Sequence, residues 1–98
     1  MKLLIFSVFD KAVGAFLQPF YCRSKGEAIR SFTEVVNDPK REFGRYSSDY
    51  SLMYHGEFDD SSGMFASGDT VRVIGAHEVI VDPIVQGGDT PALRTVSK

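Results

Sequence analysis

The chain has 98 residues, 43% of them hydrophobic and 24% charged, with a formal net charge of −2. This is one domain of ordinary globular composition, and it excludes a disordered or collagen-like chain. No run approaches the ~18 apolar residues of a membrane helix.

Cys22 is the single cysteine. No internal disulfide can form, which suits a reducing or an indifferent compartment. The charge is unevenly spread. Residues 1–46 hold eight Lys/Arg against five Asp/Glu, and residues 47–98 hold three against eight. The basic first half and the acidic second half favour different partners.

The opening MKLLIFSVF has a lysine before an apolar run at the lower limit of a signal peptide. No clear cleavage site follows it. Its β-branched and aromatic content predicts a strand over 2–9, covered on at least one face because its apolar run is nearly continuous. Residues 10–14 are a turn. Residues 15–23 predict a second strand, with Phe16, Gln18, Phe20 and Cys22 on one face and Leu17, Pro19, Tyr21 and Arg23 on the other. Phe16 and Phe20 are expected in the core. Pro19 cannot donate to a ladder, so this strand lies at an edge or carries a bulge.

Ser24-Lys25-Gly26-Glu27 has capping-box form. Ala28, Ile29, Phe32, Val35 and Val36 follow at helical spacing, so a helix is predicted over about 24–38. Asn37-Asp38-Pro39 ends it. A short second turn of helix is expected over 39–44, then a loop over 45–50. Residues 50–58 alternate as a third strand, with Tyr50, Leu52, Tyr54 and Phe58 on one face. Gly56 marks a bulge or a close approach. Residues 59–63 form a hairpin loop. Met64 to Ala66 returns as a fourth strand. Residues 71–74 are a fifth strand, or the fourth continued past a break at Ser67-Gly68. The expected fold is α+β, in the order β-β-α-β-β. A small antiparallel sheet of four to five strands carries one main helix on one face. Residues 1–75 make the domain, and 76–98 a C-terminal extension that is partly extended or mobile.

No enzyme signature is present: no Gly-rich phosphate loop, no CxxC, no histidines at metal spacing. No cofactor, metal or catalytic residue is expected. His55 and His77 stand alone, and His55 is expected on the wetter face of its strand. Asp59 and Asp60, near Glu57, read as turn formers. Cys22 reads as a buried apolar thiol. One stretch, FLQPFYCRSK at 16–25, admits a binding reading. Single-strand binders pair aromatic platforms with basic grooves. Tyr21, Arg23 and Lys25, followed by Arg30, Lys40, Arg41, Arg45 and Tyr46, are the candidate nucleic-acid-binding residues. They are expected to converge on one surface. The competing reading is a protein-interaction regulator, in which VIVDPIV at 79–85 adds a strand to a partner or to a second copy.

FSVFD at 6–10, FLQPF at 16–20, AIRSFTEVVNDP at 28–39 and DYSLMYHGEFDDSSG at 49–63 occur in that order. This linked pattern, over about residues 5–65, resembles the small nonstructural protein of gokushovirus-type microviruses, phages with circular single-stranded DNA genomes. The resemblance implies DNA binding and a part in the switch from duplex replication to single-strand production for packaging. It also implies the host cytoplasm as location. Single-stranded DNA is then the expected partner. Phage replication initiator or capsid proteins are the candidate protein partners, and a homodimer is the candidate assembly. The resemblance carries no catalytic residues. The matched Phe20, Ala28, Phe32, Tyr50, Leu52, Gly56 and Phe58 read as core and turn.

Overall fold

The structure is a computed structural model that describes residues 1–81. Strand β1 (Lys2–Asp10) is the centre of the sheet. Along one side it pairs in turn with β3 (Phe20–Cys22) and β2 (Ala15–Phe16). Along the other it pairs with β4 (Tyr50–Asp59), which pairs with β5 (Met64–Gly75) at the edge. Every pairing is antiparallel. Helix α1 (Lys25–Val36) lies on one face. The predicted α+β class and the order β-β-α-β-β hold, with 64–75 forming one long strand rather than two.

The helix begins where the cap was expected. Ser24 Oγ accepts from the Glu27 amide at 3.1 Å, and Glu27 Oε1 accepts from the Arg23 amide at 2.7 Å. One orphan amide of the first turn is thereby satisfied, and Glu27 reaches back to the amide one residue before the cap rather than to that of Ser24 itself. Its buried stripe, Ala28, Phe32 and Val36, packs on Phe6, Val8, Cys22 and Leu52. Phe6 and Leu52 are fully buried. Truncating a fully buried phenylalanine costs about 3–5 kcal/mol, so this layer carries much of the fold's stability.

Two phase errors in the sequence reading have one kind of cause. Residues 15–23 are not one strand. Leu17 to Pro19 bow out between β2 and β3, with the Leu17 amide donating to the Val8 carbonyl at 2.8 Å. The interruption resets the alternation. Phe20 and Cys22 face the helix as expected, but Phe16 lies opposite Phe9 and is 48% exposed. It is not a core residue. In β4 the register slips between Ile5 and Phe6 of β1, leaving one extra residue at His55. Tyr54 then sits opposite Phe6 on the helix face, while Phe58 sits opposite Leu3 on the other. Opposed residues in an antiparallel pair share a face, so Phe58 leaves the row of Tyr50, Leu52 and Tyr54. The expected second turn of helix over 39–44 is a series of turns, and a one-turn 3-10 helix forms instead at Ser47–Asp49.

Part of the C-terminal extension is described. Ala76 is fully buried in the core, and Val79 packs against it. Residues 82–98, including 82–85 of the VIVDPIV run, lie outside the described residues.

Gly56 makes the bulge possible. Its φ is +148°, a region side chains rarely enter. A Cβ there would overlap the Ala66 carbonyl oxygen and lie 2.8 Å from Ser67 Cα. Gly63, in the hairpin turn, has φ +75° with nothing within 4 Å. In chemical denaturation, Gly56→Ala is expected to lose at least about 2 kcal/mol, from strain plus overlap with backbone. Gly63→Ala is expected to lose only about 1 kcal/mol, from backbone conformation alone.

Candidate nucleic-acid interface

The sheet has a second face, which the helix does not cover. Leu3, Ile5, Ser7 and Phe9 of β1 point to it, since Leu4, Phe6 and Val8 pack toward the helix. Register adds Phe16, Tyr21, Met53 and Phe58, with Phe65 beyond them on β5. The rings form two groups. At one end Tyr21 meets Phe58 edge-on with centroids 6.0 Å apart, and Phe58 meets Phe65 at 4.7 Å. At the other, Phe9 meets Phe16 at 4.8 Å and Phe16 meets the His55 ring at 5.5 Å. The first group sits beside Leu3 and Ile5 and the second beside Ser7 and Phe9, so about 7 Å of strand separates their nearest members. Tyr21 is 47% exposed and Phe65 61%. This is a wide aromatic surface beside a core already complete on the opposite face.

His55 is the polar member of this layer. The bulge that displaces it from the ladder also aims it at β1. Its Nε2 lies 2.5 Å from Ser7 Oγ, and its Nδ1 lies 3.5 Å from Thr70 Oγ1. Ser7 is buried. Two hydroxyls and the Phe16 edge hold the imidazole in place. A buried hydroxyl on the central strand is satisfied in return, which removes the cost of leaving it unpaired.

The eight sequence-predicted residues fall into two groups, not one patch. Tyr21 lies on the open face, as its strand phase predicted. Arg23 follows two residues later at the start of the helix, and Lys25 opens the helix. Lys25 lines a groove on the helix side with Leu4, Phe6, Tyr54 and Val71. Arg30 is exposed on the helix. Lys40, Arg41, Arg45 and Tyr46 belong to the segment that follows the helix. Twelve helical residues, about 18 Å, separate the two groups.

The second group lies on the helix side, at one end of the sheet. Lys40 and Arg41 share a groove of about 430 Å³ with Leu17, Phe43 and Tyr50, and Leu17, bonded to Val8, points away from the face that Phe16 joins. Arg41 and Arg45 also line a neighbouring groove of about 490 Å³ with Asn37, Ile80 and Val81. The Arg45 guanidinium stands 6.0 Å above the Tyr46 ring, within cation–π range. Acids temper the positive field. Asp38 lies 3.7 Å from Arg41, and Asp10 and Glu42 line the first groove.

Asn37 braces this region. Its side-chain amide donates to the Thr33 carbonyl at 2.8 Å and the Val79 carbonyl at 3.0 Å. Its Oδ1 accepts from the Val81 amide at 2.8 Å. One side chain therefore caps the helix and holds residues 79–81 against it, forming the wall of the Arg41–Arg45 groove.

The remaining polar candidates have structural partners. Asp59 Oδ1 accepts from the Ser61 amide at 2.9 Å, which lowers its carboxyl pKa, and Asp60 holds the N-terminal amine at 2.9 Å. They are the turn formers the sequence suggested. Cys22 is buried, and that burial raises its thiol pKa. Among the described residues no three His, Cys, Asp or Glu side chains gather as metal ligands would. No described helix is long and apolar enough to cross a membrane.

Sequence reading missed Phe9, Phe16, His55, Phe58 and Phe65 as members of a surface. The available signal was β1 itself, whose odd positions are as apolar as its even ones.

These features define a class: a small α+β domain whose antiparallel sheet buries one face under a helix and presents aromatic rings on the other. The chain belongs to the Phage ORF5 protein family, whose sequence model matches residues 3–80, and is therefore a phage protein. No curated protein and no solved structure matches it.

Asn37→Ala removes three hydrogen bonds at once and leaves the Val79 carbonyl and the Val81 amide without their partner, while the Thr33 carbonyl keeps the Asn37 backbone amide. A loss of about 1–3 kcal/mol is expected. Amide exchange at Val81 should accelerate well before global unfolding, as native-state hydrogen exchange can show.

Proposed function

We propose that this phage protein binds single-stranded DNA on the open face of its sheet. Bases stack on the two aromatic groups, and the strand's backbone passes round the end of the sheet to the helix side, where Lys40, Arg41 and Arg45 hold phosphates. The observation that carries this reading is the aromatic face itself, with Phe16, Tyr21 and Phe65 about half exposed or more. Stacking on an aromatic side chain contributes roughly 1–3 kcal/mol per base and tolerates any sequence. Arg23, two residues beyond Tyr21, is the cation suited to the other end. Lys25 and Arg30 stand on the helix itself, away from that end, and are outside this path.

The acidic total shapes the mode of binding. Duplex affinity rests largely on phosphate neutralisation, and a chain of net charge −2 with tempered cations is poorly equipped for it. Unpaired bases offer their faces to stacking, while bases in a duplex do not. The preference is therefore for single strands. The resemblance to gokushovirus-type nonstructural proteins supports a role in the switch from duplex replication to single-strand genome production. A second reading, a protein-interaction regulator of replication or capsid assembly with no DNA contact, draws on one observation: residues 64–72 of β5 are all exposed.

Fluorescence anisotropy of a labelled oligonucleotide, single-stranded and duplex, at low and physiological salt tests the proposal. Single strands should bind more tightly. Phe16→Ala and Tyr21→Ala should each weaken binding about 5- to 150-fold, the equivalent of 1–3 kcal/mol. Replacing Lys40, Arg41 and Arg45 together by alanine should flatten the dependence of log K on log salt by about 2, at roughly 0.7 for each phosphate no longer neutralised. Lys25→Ala and Arg30→Ala should change little. Absence of binding at low salt would pass the function to protein partners.

A further inference from the structure

Strand β5 is more exposed than a strand of this length should be. Residues 64–72 are all exposed, with Met64 at 69%, Phe65 at 61% and Val71 at 53%. β5 is also the edge of the sheet among the described residues, so one row of its backbone amides and carbonyls has no strand opposite. The helix comes near it at Lys25, which lines a groove with Val71, Arg72 and Val73. Beyond its pairing with β4, little holds this half of the hairpin, and a bare two-stranded ribbon is only marginally stable in water.

The side-chain pattern says what would fit there. Register puts Phe65, Ser67 and Arg72 on the open face, opposite Phe58, Gly56 and Met53. Thr70 joins them through His55. Met64, Ala66 and Val71 oppose Asp59, Glu57 and Tyr54 on the helix face; Val73, the extra residue of a second register shift between Arg72 and Ile74, packs toward the core there. Ordinary alternation would not produce these two rows. They arise because residues 68–70 bulge, resetting the phase between Ser67 and Val71. About a point between Gly68 and Asp69, each row is its own mirror: 65 and 67 against 70 and 72 on one face, 64 and 66 against 71 and 73 on the other.

We propose that β5 pairs antiparallel with β5 of a second copy, about a two-fold axis between Gly68 and Asp69. Opposed residues of an antiparallel pair must share a face, and this register satisfies that rule for 64–67 against 70–73. Met64 meets Val73 of the second copy, and Ala66 meets Val71, apolar on apolar. Ser67 meets Thr70, hydroxyl on hydroxyl. Phe65 meets Arg72, whose guanidinium is held by Glu78, so the ring lies along the arginine's aliphatic stem. Asp69 and Arg72 are the only charged residues of 64–73. Asp69 faces Gly68, so no like charges oppose each other. The bulge, which elsewhere turns edges away from partners, here gives the strand its self-complementary pattern. Such an interface is isologous. It joins two five-stranded sheets with their aromatic faces on one side, making a single doubled surface. The inference does not rest on DNA binding and is tested without nucleic acid.

The experiment is the solution mass of the full chain by light scattering and sedimentation over a range of concentrations. Wild type is expected as a dimer that dissociates on dilution. Val71→Glu and Ala66→Lys, each at an exposed site opposite the other across the axis, are each expected to give monomers. Combined in one chain, they place opposite charges face to face twice and should restore the dimer. In wild type, hydrogen exchange at residues 64–73 should slow as concentration rises, a readout that needs no variant to fold. A wild-type monomer up to its solubility limit, a dimer indifferent to both single substitutions, or concentration-independent exchange in β5 would overturn the proposal.

Discussion

Strand β1 does two tasks with alternate residues, and the rest of the structure depends on that division. Its even side chains, Leu4, Phe6 and Val8, anchor the helix and the core. Its odd side chains, Leu3, Ile5, Ser7 and Phe9, form the floor of the opposite surface. A strand with a period of two offers both sets at once only where both faces are apolar. β1 is hydrogen-bonded along both sides, so neither row can rotate away without breaking the ladder. Core and candidate interface are thus mechanically tied.

The ladder beside β1 is irregular on both sides. The bulge at His55 and Gly56 moves Phe58 to the open face, turns His55 onto Ser7, and leaves Tyr54 with Phe6 in the core. The break at Leu17 to Pro19 does the same for Phe16 on the other side. Each irregularity costs ladder hydrogen bonds and adds a ring to the open face. Bulges recur where a side chain must be re-aimed, and all these land on one surface. The helix face needs no such adjustment. That asymmetry is why the open face, rather than the basic residues alone, carries the functional reading.

Much of the fold was legible in residue order. The serine cap at Ser24, the apolar stripe through Val36, the stop at Asn37-Asp38-Pro39 and the hairpin at 59–63 are local signals with local causes, and each formed as read, although Glu27 reaches the Arg23 amide rather than that of Ser24. The phases of Phe16 and Phe58 were not legible, because one inserted residue inverts every later side chain and nothing local marks its position. Gly56 flagged the bulge without giving its direction. Tyr21 was placed correctly, since β3 begins after the break and keeps its own alternation. The basic residues were visible as types. Their division across the helix, Arg23 and Lys25 at one end and Lys40, Arg41 and Arg45 at the other, followed only from how the helix lies.

Residue order alone was enough for the elements, the helix face that packs, and the buried character of β1, because these rest on period, caps and breakers within a few residues of one another. Which rings share the open face, that Asn37 pins residues 79–81, and that β5 mirrors itself emerged only once the chain was folded. Those depend on register between strands far apart in the chain, and register is a property of pairs.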